Sequence, residues 1–229
     1  MIGLGLRGAS ESPSGRRGTL LPSHFGTVGG WWVAGDPTIT LVSGKASVWP
    51  DRSGNGRDLT QGADGARPTL ITNQVNGQSV LRWAGGQYMT SDAISIAGSP
   101  NTWWVVLKSS AQTGGAFAAG GGGPESLDGS GVDTLAMTGP SVLSTTQGLT
   151  GIFRSIVCIF NGASSKMRVN GSEIASGNTG APATITTLWV GSSTSHYYSG
   201  DIAEVGFFTS LGSVIDFENF YLRRKYHTW

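Results

Sequence analysis

One cysteine, Cys158, stands in 229 residues, so no intramolecular disulfide can form and stability must come from packing or assembly. Charge is scarce too. Charged residues are 13% of the chain and the formal net charge is +1, against an ordinary charged fraction of about 25%. Such a chain has no general electrostatic attraction to nucleic acid or to an anionic membrane. No apolar run approaches the roughly 20 residues of a membrane span. The N-terminus also lacks the continuous apolar stretch of a secretory signal. Synthesis in a cytosol is therefore expected, with any release by lysis, assembly or an unusual route.

What the chain has in excess is glycine, 37 of 229 residues, with many Ser and Thr. That composition implies tight turns and neutral polar strand faces. The length suits one large all-β domain. Strands are expected at 31–34, 46–49, 79–84, 102–108, 115–119, 134–138, 153–160, 165–169, 172–175, 185–190 and 201–208. Short strands recurring between turn signals imply a sandwich or barrel. The continuously apolar runs W-W-V-V-L and S-I-V-C-I-F should be central strands covered on both faces, with Cys158 a buried thiol.

The sharpest local signal is K-M-R-V-N-G-S-E-I-A-S-G over 166–177. Asn170-Gly171 favours a two-residue type I′ turn, because both central residues need φ > 0. That turn places Val169 opposite Ser172, Arg168 opposite Glu173 and Met167 opposite Ile174, with Arg168 and Glu173 as a cross-strand ion pair. At the C-terminus the period changes to that of a helix, expected over 213–226. Ser213 and Asp216 form a box-like start, and Val214, Phe217, Phe220 and Tyr221 make the apolar stripe. Arg223, Arg224 and Lys225 complement the helix dipole. Residues 1–27, rich in Gly, Ser, Pro and Arg, are expected as an extended arm, leaving 28–229 as the folded domain.

The ordered set W-P-D-R-S-G-N-G-R-D-L-T-Q (49–61), R-P-T (67–69), N-G-Q-S-V-L-R-W (76–83), the hairpin, G-D-I-A-E-V (200–205) and Y-L-R-R-K-Y (221–226) resembles concanavalin A-like, laminin-G-type domains, especially those of bacteriophage and bacterial surface proteins. The resemblance covers about 30–226. It implies an antiparallel jelly-roll sandwich of two sheets, here with one C-terminal helix and the N-terminal arm. Its members include lectins, glycan hydrolases, adhesion modules and virion proteins.

Hydrolases of that superfamily carry E-x-D-x-x-E or E-x-D-x-E on one strand, and no such string occurs here. Asp201 and Glu204, three apart, should point to opposite faces of a regular strand. His24, His196 and His227 are scattered, so no catalytic set is expected. Asp51, Asn55 and Asp58 offer oxygens suited to calcium, but in a Gly-rich loop they are read as turn closers, and no metal or other cofactor is expected. Gly3-Leu4-Gly5-Leu6-Arg7-Gly8 formally matches a dinucleotide motif, yet no strand can precede it. Asn170-Gly171-Ser172 is a formal glycosylation sequon better explained by the hairpin.

In the pairs Trp31-Trp32 and Trp103-Trp104, one ring of each should face the core and the other outward. Trp32, Trp104, His196, Tyr197 and Tyr198 are thus the candidate glycan-binding residues, with a structural role preferred for each aromatic. The leading expectation is a virion structural protein of a tailed phage, a capsid decoration or cement protein, with a tail or baseplate role fitting nearly as well. Arg7, Arg16 and Arg17 of the arm would contact neighbouring virion proteins or copies of the chain. The alternative is a glycan-binding adhesion module of a phage tail or bacterial surface protein, its partner a host surface glycan.

Overall fold

In a computed structural model, residues 20–110, 114–119, 125–129, 134–181, 183–192 and 196–229 are described. Arg7, Arg16, Arg17 and the rest of 1–19 lie outside them. The strands are β1 (Val28–Val33), β2 (Thr40–Val42), β3 (Lys45–Trp49), β4 (Leu59–Thr60), β5 (Thr69–Val75) and β6 (Gln78–Ala84). There follow β7 (Met89–Thr90), β8 (Asn101–Ser109), β9 (Gly114–Ala119), β10 (Glu125–Gly129), β11 (Thr134–Thr138) and β12 (Val142–Thr146). The last are β13 (Arg154–Phe160), β14 (Ser165–Val169), β15 (Ser172–Gly177), β16 (Leu188–Val190) and β17 (Ser199–Phe208).

The antiparallel ladders form two layers. The back sheet runs β15-β14-β13-β8-β17, and β17 then pairs with β6 through Ser199–Ile202 and with β1 through Glu204–Phe208, with β5 outside β6. The front sheet runs β2-β3-β4-β7-β16-β9-β10-β11-β12. Among the described residues, a Lys45–Thr69 bridge joins them at one edge. Between the sheets lies the main core, with Trp32, Trp49, Trp83, Trp103, Phe160 and Phe207. A second core fills the space between the back sheet and the C-terminal helix, with Trp31, Trp104, Phe208, Phe217, Leu222 and Tyr226. The back sheet is therefore covered on both faces, which is why β8 and β13 read as unbroken apolar runs.

The tryptophan pairs alternate as strands require, but neither member meets solvent. Trp32 and Trp103 enter the main core; Trp31 and Trp104 enter the helix-side core. Gly206 lies across from Trp104, and a Cβ there would stand 2.2 Å from the indole Cζ2. Gly206→Ala should cost about 2–3 kcal/mol by overpacking, read as a lower urea midpoint, while Gly62→Ala, in open space, should leave that midpoint unchanged.

The hairpin turn has φ of +50° at Asn170 and +78° at Gly171, and Val169–Ser172 and Arg168–Glu173 pair as expected. A bulge then shifts Met167 onto Ala175 instead of Ile174. The expected Arg168–Glu173 ion pair is replaced: Arg168 Nε meets Glu218 Oε2 at 2.8 Å, and Glu173 is met by Lys166 at 2.8 Å. Glu218 is buried on the helix above β14, so leaving it unpaired costs more than leaving the half-exposed Glu173.

The helix runs as α-helix over Val214–Phe217 and Arg223–Tyr226, with a π-helical stretch Glu218–Leu222 between. Ser213 is its N-cap without a side-chain cap bond. The π turn carries the apolar stripe from Phe217 and Tyr221 onto Leu222 and Tyr226, and Phe220 faces outward. Residues 20–27, read from the sequence as the end of the arm, lie against the domain. Phe25 packs edge-on to Phe217 at 5.7 Å, and its carbonyl accepts from Ser213 N–H.

β17 also departs from regular alternation. A bulge between Ile202 and Glu204 places Asp201 and Glu204 on the same, helix-facing side. Asp201 meets Lys108 at 2.9 Å while Glu204 accepts from Trp104, and these two partners lie four apart on β8. The expectation of opposite faces failed because it assumed an unbroken period of two.

Candidate functional site

Among the described residues, no helix covers the outer face of the front sheet. Its register links one continuous cross-strand row, Thr40, Val48, Thr60, Thr90, Trp189, Ala118, Ser126, Thr138 and Val142, each paired with the next, and Ser126 in that row is buried. The row is mostly hydroxyl-bearing, with one large aromatic near its centre. Trp189 faces outward because Leu188 and Val190 on either side of it enter the main core. Tyr88 stacks on it, centroids 5.2 Å apart and planes 12° from parallel. Tyr197, 49% exposed, lies 6.4 Å from Tyr88.

Side-chain and backbone hydrogen bonds from a neighbouring loop hold this platform. Gln61 Nε2 donates to Tyr88 O at 2.8 Å, Tyr88 N–H donates to Ala66 O at 3.1 Å, and Arg67 Nε donates to Gln61 O at 2.8 Å. Tyr198 anchors the other side in the core, edge-on to Trp83 at 6.3 Å, which turns Tyr197 outward.

Next to the platform, a cleft of about 490 Å³ is lined by Asn55, Arg57, Asp58, Thr60, Asp92 and Ser95. Thr60 belongs to both cleft and row, and Thr90 lies between it and Trp189. The cleft wall is a self-closed turn. Asp51 accepts from the N–H groups of Trp31, Ser53 and Arg57 and from Ser53 Oγ, and Asp58 Oδ1 accepts from Asp51 N–H at 2.8 Å. Asn55 Nδ2 donates to Val28 O, Gly29 O and Ser53 Oγ. These bonds are those of the turn reading for Asp51, Asn55 and Asp58. Among the described residues, no group of three or more His, Cys, Asp or Glu is placed to hold a metal ion.

Of the sequence-derived candidates, the platform gathers only Tyr197, with His196 exposed beside it. Trp32 and Trp104 are fully buried, and their indole N–H groups are spent on Arg57 O at 3.0 Å and Glu204 Oε1 at 2.9 Å. Tyr198 is 2% exposed. None of these three offers a ring to a ligand. Sequence reasoning missed Trp189 and Tyr88. The signal was present: a Trp between two apolar β-formers in L-W-V must face opposite to both. Elsewhere, Cys158 is buried, and that burial pushes its thiol well above the ordinary range, with the nearby Glu125 carboxylate adding to it.

No protein-family model and no curated protein sequence matches the chain. Likeness appears at the level of structure. Domain 4 of AbnA, a GH43 extracellular arabinanase from Geobacillus stearothermophilus solved in complex with arabinotriose, superimposes with a TM-score of 0.64 at 12% identity, covering 85% of this chain and 100% of that one. Trypanosoma rangeli sialidase in complex with sialic acid gives 0.53 at 15% identity, covering 81% of this chain. The chain spans 31% of that sialidase's length. These likenesses place the fold in the concanavalin A-like jelly-roll sandwich class. They also correct the expectation that catalysis is foreign to this chain, because sialidase and GH43 arabinanase structures carry the same architecture. At such identities the likeness is one of fold and assigns no reaction here.

Proposed function

We propose that the chain is a carbohydrate-binding module whose site is the outer face of the front sheet. The observation that carries this reading is the Trp189–Tyr88 stack, set beside the threonines Thr90 and Thr60 and adjoining a polar cleft. Sugar rings present apolar C–H faces and hydroxyl edges, so they need an aromatic platform with hydrogen-bonding groups around it. The arabinotriose complex of the AbnA domain supports the reading, since the whole of that domain superimposes on this fold.

A screen of the full chain on a glycan array is expected to return saccharide ligands. Trp189→Ala should weaken the best of them by at least about ten-fold. Phe220→Ala, exposed on the helix side, should leave affinity unchanged. Equal affinity of the Trp189→Ala protein would refute the assignment of the site. A place in a phage particle, with residues 1–19 on a neighbouring subunit, is compatible with this activity and is a separate proposal. Particle incorporation of a chain lacking 1–19 tests it, and normal incorporation would end it.

A further inference from the structure

We infer that the ligand is a neutral oligosaccharide that spans two subsites, the Trp189–Tyr88 platform and the Asp58–Asp92 cleft. This inference rests on the carbohydrate reading of the face and adds to it the charge and the length of the ligand.

The charge argument comes from the groups that line the cleft. Asp58 Oδ1 is held by Asp51 N–H. Its second oxygen and the Asp92 carboxylate have no partner among the described residues, and both side chains are exposed on the cleft wall. The cleft lining carries these two carboxylates against one guanidinium, that of Arg57. Arg57 donates to Gly29 O and lies 5.9 Å from the Phe207 ring. Arg67 donates to Gln61 O and Gly62 O, and Lys45 is bound to Asp64 at 2.7 Å. A free carboxylate accepts strong, charge-assisted hydrogen bonds from sugar hydroxyls. It repels the carboxylate of a uronic or sialic acid, and the one lining guanidinium, Arg57, is already engaged by Gly29 O and outnumbered by the two carboxylates.

The length argument comes from register. Thr60 lines the cleft, Thr90 pairs with it, and Trp189 pairs with Thr90. Two strand spacings of about 4.8 Å put the subsites roughly 10 Å apart, with hydroxyls between them. One sugar ring cannot occupy both. A chain lying across the strands can, and the second contact then forms at high effective concentration.

Calorimetry on the full chain tests both parts. The probes are linear arabinan-, glucan- and mannan-derived oligosaccharides from disaccharide to hexasaccharide, with oligogalacturonides and sialyllactose as the acidic set. A neutral series should bind, gaining about ten-fold from disaccharide to tetrasaccharide and then levelling. Acidic chains should bind at least about five-fold more weakly than the neutral tetrasaccharide. Asp58→Asn and Asp92→Asn, with thermal midpoints unchanged, should each weaken the neutral tetrasaccharide about five-fold and narrow its margin over oligogalacturonides. A preference for the acidic set, affinity independent of length, or silent Asp variants would each overturn this inference and leave the carbohydrate reading standing. Failure of every saccharide to bind would overturn both.

Discussion

Glu204→Ala is expected to lower the stability of the domain by about 3–5 kcal/mol, the usual cost of removing one partner from a buried, hydrogen-bonded charge pair. Glu204 is 0% exposed and collects donors from two layers. Trp104 Nε1 reaches Oε1 at 2.9 Å from β8, while Tyr221 Oη at 3.0 Å, Lys225 Nζ at 2.6 Å and Tyr226 Oη at 2.5 Å reach Oε2 from the helix. Deleting the carboxylate orphans all of these groups where water does not readily replace the acceptor, and it opens a void at the joint between helix and sheet. Domains of this kind are stable by only about 5–15 kcal/mol, so a large share would be lost. The measurement is urea unfolding followed by Trp fluorescence, with hydrogen exchange over 214–226 as the local readout. Glu204→Gln, which keeps the shape and one acceptor oxygen, should fall between wild type and Ala. A Glu204→Ala midpoint within about 0.5 kcal/mol of wild type would show that the helix is held by its apolar face alone.

Stability is also expected to fall as pH rises from about 4.5 to about 8 because of a second buried carboxylate, Glu125. It is 0% exposed and forms no ion pair among the described residues. Its partners are Asn101 Nδ2, at 2.8 Å and 3.0 Å from the two oxygens, and Trp103 Nε1 at 2.7 Å. Burial pushes its pKa up to about 8; the Asn101 and Trp103 donors offset part of that rise. In the unfolded chain the group ionises near 4.5, whereas in the folded chain it keeps its proton to about 8. A raised folded value means that the contribution is fully present below 4.5 and is lost as pH climbs through that window. At 1.36 kcal/mol per unit the loss is of the order of 3–5 kcal/mol. Glu125→Gln removes the ionisation, so its urea midpoint should be flatter between the two values and should exceed that of wild type on the alkaline side. A wild-type midpoint that stays level across the window, or a Gln variant that follows the wild-type slope, would contradict this account.

Glu204 and Glu125 show two ways in which a carboxylate is kept in an apolar interior. The first is paired with Lys225; the second avoids its charge over most of the neutral range. Asp201 is a third variation. Burial alone would raise it, but Arg82 at 2.6 Å and Lys108 at 2.9 Å outweigh that and hold it below the ordinary carboxylate range. In the sequence nothing next to these three acids distinguishes their states. Their different states follow from which side chains of β6, β8 and the helix arrive beside them.

The Asn170-Gly171 turn was legible locally because φ > 0 at two successive positions restricts both residue type and register. The covered strands β8 and β13 were legible because a strand without polar alternation has no wet face. The C-terminal helix was legible from its period. What misled was each assumption of uninterrupted regularity. One bulge moved Met167 off Ile174, another brought Asp201 and Glu204 to one face, and a π turn swung Phe220 outward. Bulges and π turns arise where tertiary packing outweighs local geometry, and a short-range pattern carries no sign of that balance.

The site divides in the same way. By itself the sequence determined that adjacent tryptophans in W-W would split between two faces, and that Trp189 would face away from Leu188 and Val190. Only the tertiary structure decided which of those faces stays open. A helix some hundred residues downstream of Trp104 closes the outer side of the back sheet, so Trp31 and Trp104 became core. Among the described residues no helix covers the outer side of the front sheet, so Trp189, with Tyr88 brought from a distant part of the chain and Tyr197 from just downstream, became surface. Alternation along a strand is a property of the local backbone, whereas exposure depends on what the rest of the chain lays over it.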